Sequence, residues 1–134
     1  MRFKKKQIER YSRNIILKKV GVIGQKKLLR SSILIVGAGG LGSPIAIYLA
    51  ALGIGKIGIV DKDKVEISNL NRQIIFETKD INKNKSSAAA KKIKKINPDI
   101  IVKSFNENLS IKNINKIAKN FDLIIDGSDN FKTR

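Results

Sequence analysis

Two hydrophobic patterns alternate along the chain: short unbroken aliphatic runs, and longer stretches in which apolar residues recur every three or four positions. Unbroken runs suit strands buried on both faces, as in a parallel sheet, and the three-to-four spacing suits amphipathic helices. Four runs read as strands: Ser32–Val36, Lys56–Asp61, a third beginning at Ile100–Val102, and Leu123–Asp126. Between them, Ser43–Leu52 predicts a helix that ends at Gly53. Lys85–Ile96 predicts another, with Ala88, Ala89, Ile93 and Ile96 toward the sheet and Lys91, Lys92, Lys94 and Lys95 toward water. Asn97-Pro98 stops it. A further helix carries Ile111, Ile114, Ile117 and Ala118, with Ser110 as its expected N-cap. Ahead of the first strand, residues 4–19 predict an amphipathic helix through Ile8, Tyr11, Ile15 and Ile16, and Val22–Leu29 a second. Lys62–Asp80 reads as a polar loop.

Strands alternating with helices predict an α/β fold: a Rossmann-like, doubly wound, mainly parallel sheet with right-handed crossovers, preceded by N-terminal helices. The expected organisation is a helical segment over residues 1–30 and a nucleotide-binding Rossmann-like domain over 31–134. A full dinucleotide-type fold carries more than these strands. The domain is therefore expected to be incomplete at its C-terminal side, as part of a longer protein or of a tight assembly.

Composition changes the picture in three ways. Aromatics are 5% of the 134 residues against 42% hydrophobic, so aliphatic side chains, mostly Ile, must build the core. Lys and Arg number 28 against 11 acids, a formal charge of +17. The lysines are spread over the whole length beside abundant Ile and Asn, which is the drift an AT-rich genome favours. That spread weighs against nucleic acid as a partner, while a positive field still favours an anionic ligand. There is no Cys and no His, which removes disulfides, thiolate nucleophiles and the usual zinc ligands. No apolar core follows the basic Met1–Lys6, and the run Ile45–Leu52 is too short to span a bilayer. A cytoplasmic protein with no membrane partner is expected.

The clearest chemistry is Gly37-Ala38-Gly39-Gly40-Leu41-Gly42, a GxGxxG turn between a strand and a helix. Gly37 permits the tight turn, Gly39 lets the backbone approach a phosphate, Gly42 allows close helix–strand packing, and Gly40 adds freedom. The helix N-terminus offers free N–H groups to an anion. Asp61, at the end of the second strand, stands where an acid meets ribose hydroxyls, although an acid there is often a simple turn former. These residues imply a nucleotide without choosing between NAD and ATP. Arg72, Lys85 and Asp129 favour ATP. Attack on an α-phosphate builds negative charge that Arg72 and Lys85 can meet, and Asp129 can offer an oxygen to Mg²⁺. A single Lys in so basic a chain is ordinarily a solvated surface group, and Lys85 rises above that only through the resemblance that follows.

Arg10-Tyr11-Ser12-Arg13-Asn14-Ile15-Ile16-Leu17, Gly24-Gln25, the glycine loop, Asp61-x-Asp63, Ser68-Asn69-Leu70-Asn71-Arg72-Gln73 and Asp126-Gly127-Ser128-Asp129-Asn130-Phe131-Lys132-Thr133-Arg134 together resemble the HesA/MoeB/ThiF family, relatives of the ubiquitin-activating enzymes. The resemblance implies an adenylyltransferase. It would activate the C-terminal glycine carboxylate of a small β-grasp, ubiquitin-like sulfur carrier of the molybdopterin or thiamine type, with ATP and Mg²⁺. Carried over, Asp61 binds ribose with Asp63 beside it, Asn69, Arg72 and Lys85 contact the triphosphate, Asp129 holds Mg²⁺, and Gln73 is a positioning residue. Arg13 resembles the arginine that reaches the ATP of the other subunit in a homodimer. Zinc belongs to cysteine pairs in the family's remaining half, which is absent from this sequence, so the chain alone is expected to be weakly active or inactive. Asn82-Lys83-Asn84 departs from the Gly and Pro that often precede the family lysine, and Ser128 replaces a frequent Thr. Two other readings remain open: an NAD(P)-binding oxidoreductase domain, and a non-enzymatic basic binding module, which would lack the aromatic platforms used for single strands.

Overall fold

The computed structural model describes residues 1–134. The elements run α1 (Lys5–Arg10), α2 (Ser12–Ile15), α3 (Gly21–Arg30), β1 (Ser32–Val36), α4 (Gly42–Leu52), β2 (Lys56–Val60), α5 (Lys85–Ile96), β3 (Ile101–Phe105), α6 (Ile114–Ala118) and β4 (Leu123–Asp126), with single 3₁₀ turns at Ile67–Asn69 and Thr78–Asp80. The four strands form one sheet in the order β3-β2-β1-β4. Every pairing is parallel. This is the expected α/β, Rossmann-like arrangement, and no helix is long and apolar enough to cross a membrane.

Strand periodicity divides the core between the two sheet faces. Ile33, Ile35, Ile57 and Ile59 point to one side, where they pack on Ala46 and Ala50 of α4 and on Ala88, Ala89 and Ile93 of α5. Leu34, Val36 and Val60 point to the other, where Ile117 of α6 meets them. The small alanines let α4 and α5 lie close to the sheet. Burying one Ile or Leu side chain contributes about 2 kcal/mol, so the α4–α5 face, with fifteen buried residues against four, dominates.

Three sequence expectations change. The N-terminal segment is not one helix, because Tyr11 leaves helical geometry (φ −101°, ψ 10°) and separates α1 from α2. The break sends the Tyr11 ring into the core with no exposure, while Ile8 and Ile16 stay 51% and 68% exposed. Ser110 is not the cap of α6. The helix starts at Ile114 behind Asn113, whose Oδ1 accepts the Ser110 N–H, and Ile111 is left exposed. Lys62–Asp80 is not wholly polar loop, since it buries Val65, Ile75 and Phe76 and so is anchored on the α4–α5 face.

Asn97, fully buried where α5 ends, ties these parts together. Its Nδ2 donates to Tyr11 Oη at 2.8 Å and to the Ala50 carbonyl at 2.9 Å, and its Oδ1 accepts the Asp99 N–H at 3.2 Å. Removing it strands buried partners, each worth ~1–3 kcal/mol. Asn97→Ala is expected to lower unfolding free energy by about 2–4 kcal/mol, and Tyr11→Phe by about 1 kcal/mol, as read by urea titration. Equal stability of Asn97→Ala and the unsubstituted protein would show that this junction does not bind the N-terminal helices to the sheet layer.

Candidate functional site

The strand order reverses between β1 and β4, and ligands in open α/β sheets bind outside the carboxyl ends of the strands at such a point. A cavity of about 490 Å³ opens there. Its floor is backbone. Gly37 leaves β1 with φ +89°, and a Cβ on it would stand 2.9 Å from the Gly127 carbonyl oxygen, just past β4. A Cβ on Gly42 would fall 1.8 Å from the Gly37 carbonyl oxygen. These glycines are required by the fold. Gly39 and Gly40 differ, because a Cβ there would only touch Gln73 Nε2 at 3.6 Å and Arg72 Cδ at 3.8 Å. Nothing within the chain demands them, which leaves close approach of a ligand as their reason. The N–H groups of Gly39, Gly40 and Leu41 donate to no acceptor in the chain. They lie at the start of α4, where the helix dipole favours an anion.

Asp61 shapes that loop. One carboxylate oxygen accepts the Ala38 N–H at 2.9 Å and the other the Asp63 N–H at 2.8 Å. Each carboxylate oxygen has a second lone pair, so the acid keeps acceptor capacity toward the cavity it lines. Lys85 reaches the same wall by a local device. The Asp63 carbonyl accepts the Lys85 N–H, the Val65 N–H donates to the Lys83 carbonyl, and the Asn82 N–H donates to the Val65 carbonyl. This short antiparallel pairing delivers the first residue of α5 to the end of β2. It requires Asn82 at φ 69°, the left-handed region that Asn tolerates. Within the Asn82-Lys83-Asn84 stretch that departs from the family's Gly and Pro, Asn82 thus takes a backbone that glycine also adopts readily.

Lys85 is 93% shielded, has no hydrogen-bond or carboxylate partner in the chain, and lines the cavity. The aliphatic stem is what is shielded, and Nζ, which no carboxylate in the chain engages, is available to an anion in the cavity. Gln73 is 4% exposed, and its Oε1 has no partner. Arg72 is held at the rim by bonds from Nη1 to the Ser68 carbonyl and to Asn71 Oδ1. Asp129, exposed on the loop after β4, lines the cavity. No cluster of three or more metal-ligating side chains exists. A lone carboxylate suits Mg²⁺, which commonly takes one or two carboxylates and completes its shell with water and phosphate oxygens.

Gly37, Gly39, Gly40, Asp61, Asp63, Arg72, Gln73, Lys85 and Asp129 therefore share one cavity. Gly42 lies behind it, as a packing glycine. Asn69 does not line it, and its Oδ1 accepts the Glu66 N–H at 2.8 Å, shaping the turn that carries Arg72. Arg13, exposed on α2, is also outside the cavity of its own chain. Sequence reasoning passed over Lys62, the Glu107–Leu109 segment after β3, and Arg134 as an individual side chain in the wall. Arg134 donates to the Ser128 carbonyl and sits 3.5 Å from Asp126. Only position after a strand end could have marked the Glu107–Leu109 segment.

A family model described as the ThiF family matches residues 11–134. Over 134 residues the chain is 43% identical to the sulfur carrier protein adenylyltransferase of Thermus thermophilus, covering all of this chain and 49% of that protein. It is 54% identical over 125 residues to a probable molybdopterin-synthase adenylyltransferase of Porphyra purpurea, covering 93% of this chain and 33% of the relative. Among solved structures, the E. coli tRNA N6-threonylcarbamoyladenosine dehydratase in complex with ATP superposes with a TM-score of 0.92 at 27% identity, over 99% of this chain and 54% of that one. The chain spans half or less of the length of these two curated relatives. It belongs to the ThiF family.

Two outcomes follow from the local geometry. Asp126 is held below its ordinary value by the Ser128 hydroxyl and N–H, with Arg134 adding to the effect. A depressed folded value contributes stability above the unfolded value of about 3.8 that is lost as pH falls through the folded value. Ser128→Ala should move the Asp126 carboxyl titration, followed by NMR, back toward its ordinary value. At Asn82, replacement by Gly should be near neutral, whereas Asn82→Ala should cost about 1 kcal/mol in thermal unfolding.

Proposed function

We propose that this ThiF-family protein adenylates the C-terminal glycine carboxylate of a small ubiquitin-like sulfur carrier of the molybdopterin or thiamine type, using Mg-ATP. The observation that carries the reading is one cavity lined both by Lys85, which has no partner in the chain, and by three residues of the glycine loop whose N–H groups are free. A phosphate chain is the ligand that meets both. The names of the two curated relatives support adenylation, and the ATP complex of the structural neighbour supports the nucleotide.

In this reading the loop N–H groups cradle phosphate oxygens and Asp61 accepts from the ribose hydroxyls. A carrier carboxylate oxygen attacks the α-phosphorus. The bond to the bridging oxygen breaks, pyrophosphate leaves with the electron pair, and an acyl-adenylate remains. Arg72 presents a planar fork, and Lys85 a point charge, to the oxygens on which charge builds. Mg²⁺ held by Asp129 would neutralise charge on the departing phosphates. Asn69 acts by holding the Arg72 turn or by contacting the triphosphate after rearrangement, and Gln73 positions the reacting groups. Arg13 acts across a homodimer, in the partner's site. No covalent bond to the enzyme is needed, so the absence of cysteine is no obstacle to this step.

Carrier-dependent ATP–pyrophosphate exchange tests the reading. In an active form of the protein, Arg72→Ala and Lys85→Ala should each lower exchange by about 10²–10³-fold, the range for loss of one transition-state donor. Unchanged exchange in both variants would displace the phosphate clamp. Tight NAD binding with no binding of Mg-ATP would instead favour an oxidoreductase.

A further inference from the structure

Lysines that are scattered in the sequence gather in space on the outer side of α5. A groove of about 360 Å³ runs between that helix and the Thr78–Asp80 turn, separate from the nucleotide cavity. Its walls hold Lys79, Lys83, Lys91, Lys92, Lys94 and Lys95 against Glu77 and Asp80. Both acids are already engaged. Glu77 bonds Lys79 at 2.8 Å and Lys92 at 2.7 Å, and Asp80 lies 3.5 Å from Lys83. Lys94 donates to the Ile100 carbonyl at the end of α5. Lys91 and Lys95 have no carboxylate partner, and Lys95 faces Lys79 across the groove. Just beyond, the Arg10 guanidinium donates to the Ile96 carbonyl, which brings one cation of α1 to the end of α5.

We infer that this lysine-walled groove binds the phosphate backbone of a nucleic-acid duplex without reading its sequence. Like charges on opposite walls repel one another until an anion lies between them, and the two acids present leave an excess of four positive charges (six lysines less two acids). Ala88 is the only apolar residue lining the groove. A protein partner would need an apolar or aromatic anchor for affinity, and the groove offers none. No aromatic ring lines it for base stacking, which disfavours single strands. Lysines without arginines also lack the planar fork that reads guanine edges. What remains is sequence-independent contact with closely spaced phosphates, a polar and wet interface driven by counterion release. This rests on the groove alone and stands whatever occupies the nucleotide cavity.

The test is fluorescence anisotropy of a labelled mixed-sequence DNA duplex with the full chain, from about 0.05 to 0.2 M salt. The variants are Lys91→Gln/Lys95→Gln in the groove and Lys116→Gln/Lys119→Gln on α6 and the residue that caps it, across the sheet, with folding of each checked by circular dichroism. Both pairs remove the same charge. The inference expects measurable duplex binding whose logarithmic salt slope falls by about 2 in the groove variant, with affinity down tenfold or more, and little change in the α6 variant. Equal weakening by both pairs would reduce the effect to net charge and overturn it, as would absence of duplex binding at low salt. Poly-glutamate binding as tightly as duplex, and through the same two lysines, would overturn it in favour of an acidic protein.

Discussion

Three backbone segments meet at the head of the sheet with no side chain between them. The exit of β1 at Gly37, the start of α4 at Gly42 and the exit of β4 at Gly127 are close enough that a methyl group on Gly37 or Gly42 would collide with a carbonyl oxygen. The rest of the site depends on this convergence. It aims the free N–H groups of Gly39–Leu41 outward, sets β4 beside β1 so that Asp129 can face the loop, and opens the crevice at the point where strand order reverses. Bulk at either glycine would separate helix from strand before it altered any charge.

Around that floor the electrostatics are arranged for something the chain does not itself contain. Lys85 has a buried stem and an unpaired ammonium, Gln73 keeps an unmatched amide oxygen, and Arg72 is braced through its own turn so that less of its side-chain freedom remains to be lost. The carboxylates are distributed differently. Asp61 gives one lone pair of each oxygen to a backbone donor and keeps the others, whereas Asp129 accepts from no donor in the chain. Cationic side chains, free N–H groups and an unengaged carboxylate thus line one cavity.

Much of this was legible in the sequence, for identifiable reasons. Unbroken Ile, Leu and Val runs gave β1 and β4 their bounds and placed the end of β2 and the start of β3 within one residue, although only β1 and β2 are buried on both faces. The turn after β1 was readable because it needs glycine at fixed spacing. The bounds of α5 follow from its Ala/Ile stripe and from Asn97-Pro98. What escaped were features set by distant partners. Tyr11 breaks a plausible amphipathic helix because its hydroxyl finds Asn97, 86 positions away. Asn113 rather than Ser110 heads α6, since both carry capping chemistry and only the packing of Ile117 selects the register. Lys62, Arg134 and the Glu107–Leu109 segment join the cavity through topology, which spacing alone does not encode. The gathering of lysines on α5 was hidden by their even spread along the chain.

The two hydrogen bonds that Asp61 accepts make the glycine turn and the acid at the end of β2 a single mechanical unit. The turn is held in shape before any ligand arrives, so little conformational freedom remains to be surrendered on binding. The same coupling narrows what evolution can change. An amide at position 61 would turn a donor toward the backbone N–H of Ala38 or of Asp63. Replacing the acid at this position therefore requires rebuilding the loop and not merely recolouring one side chain.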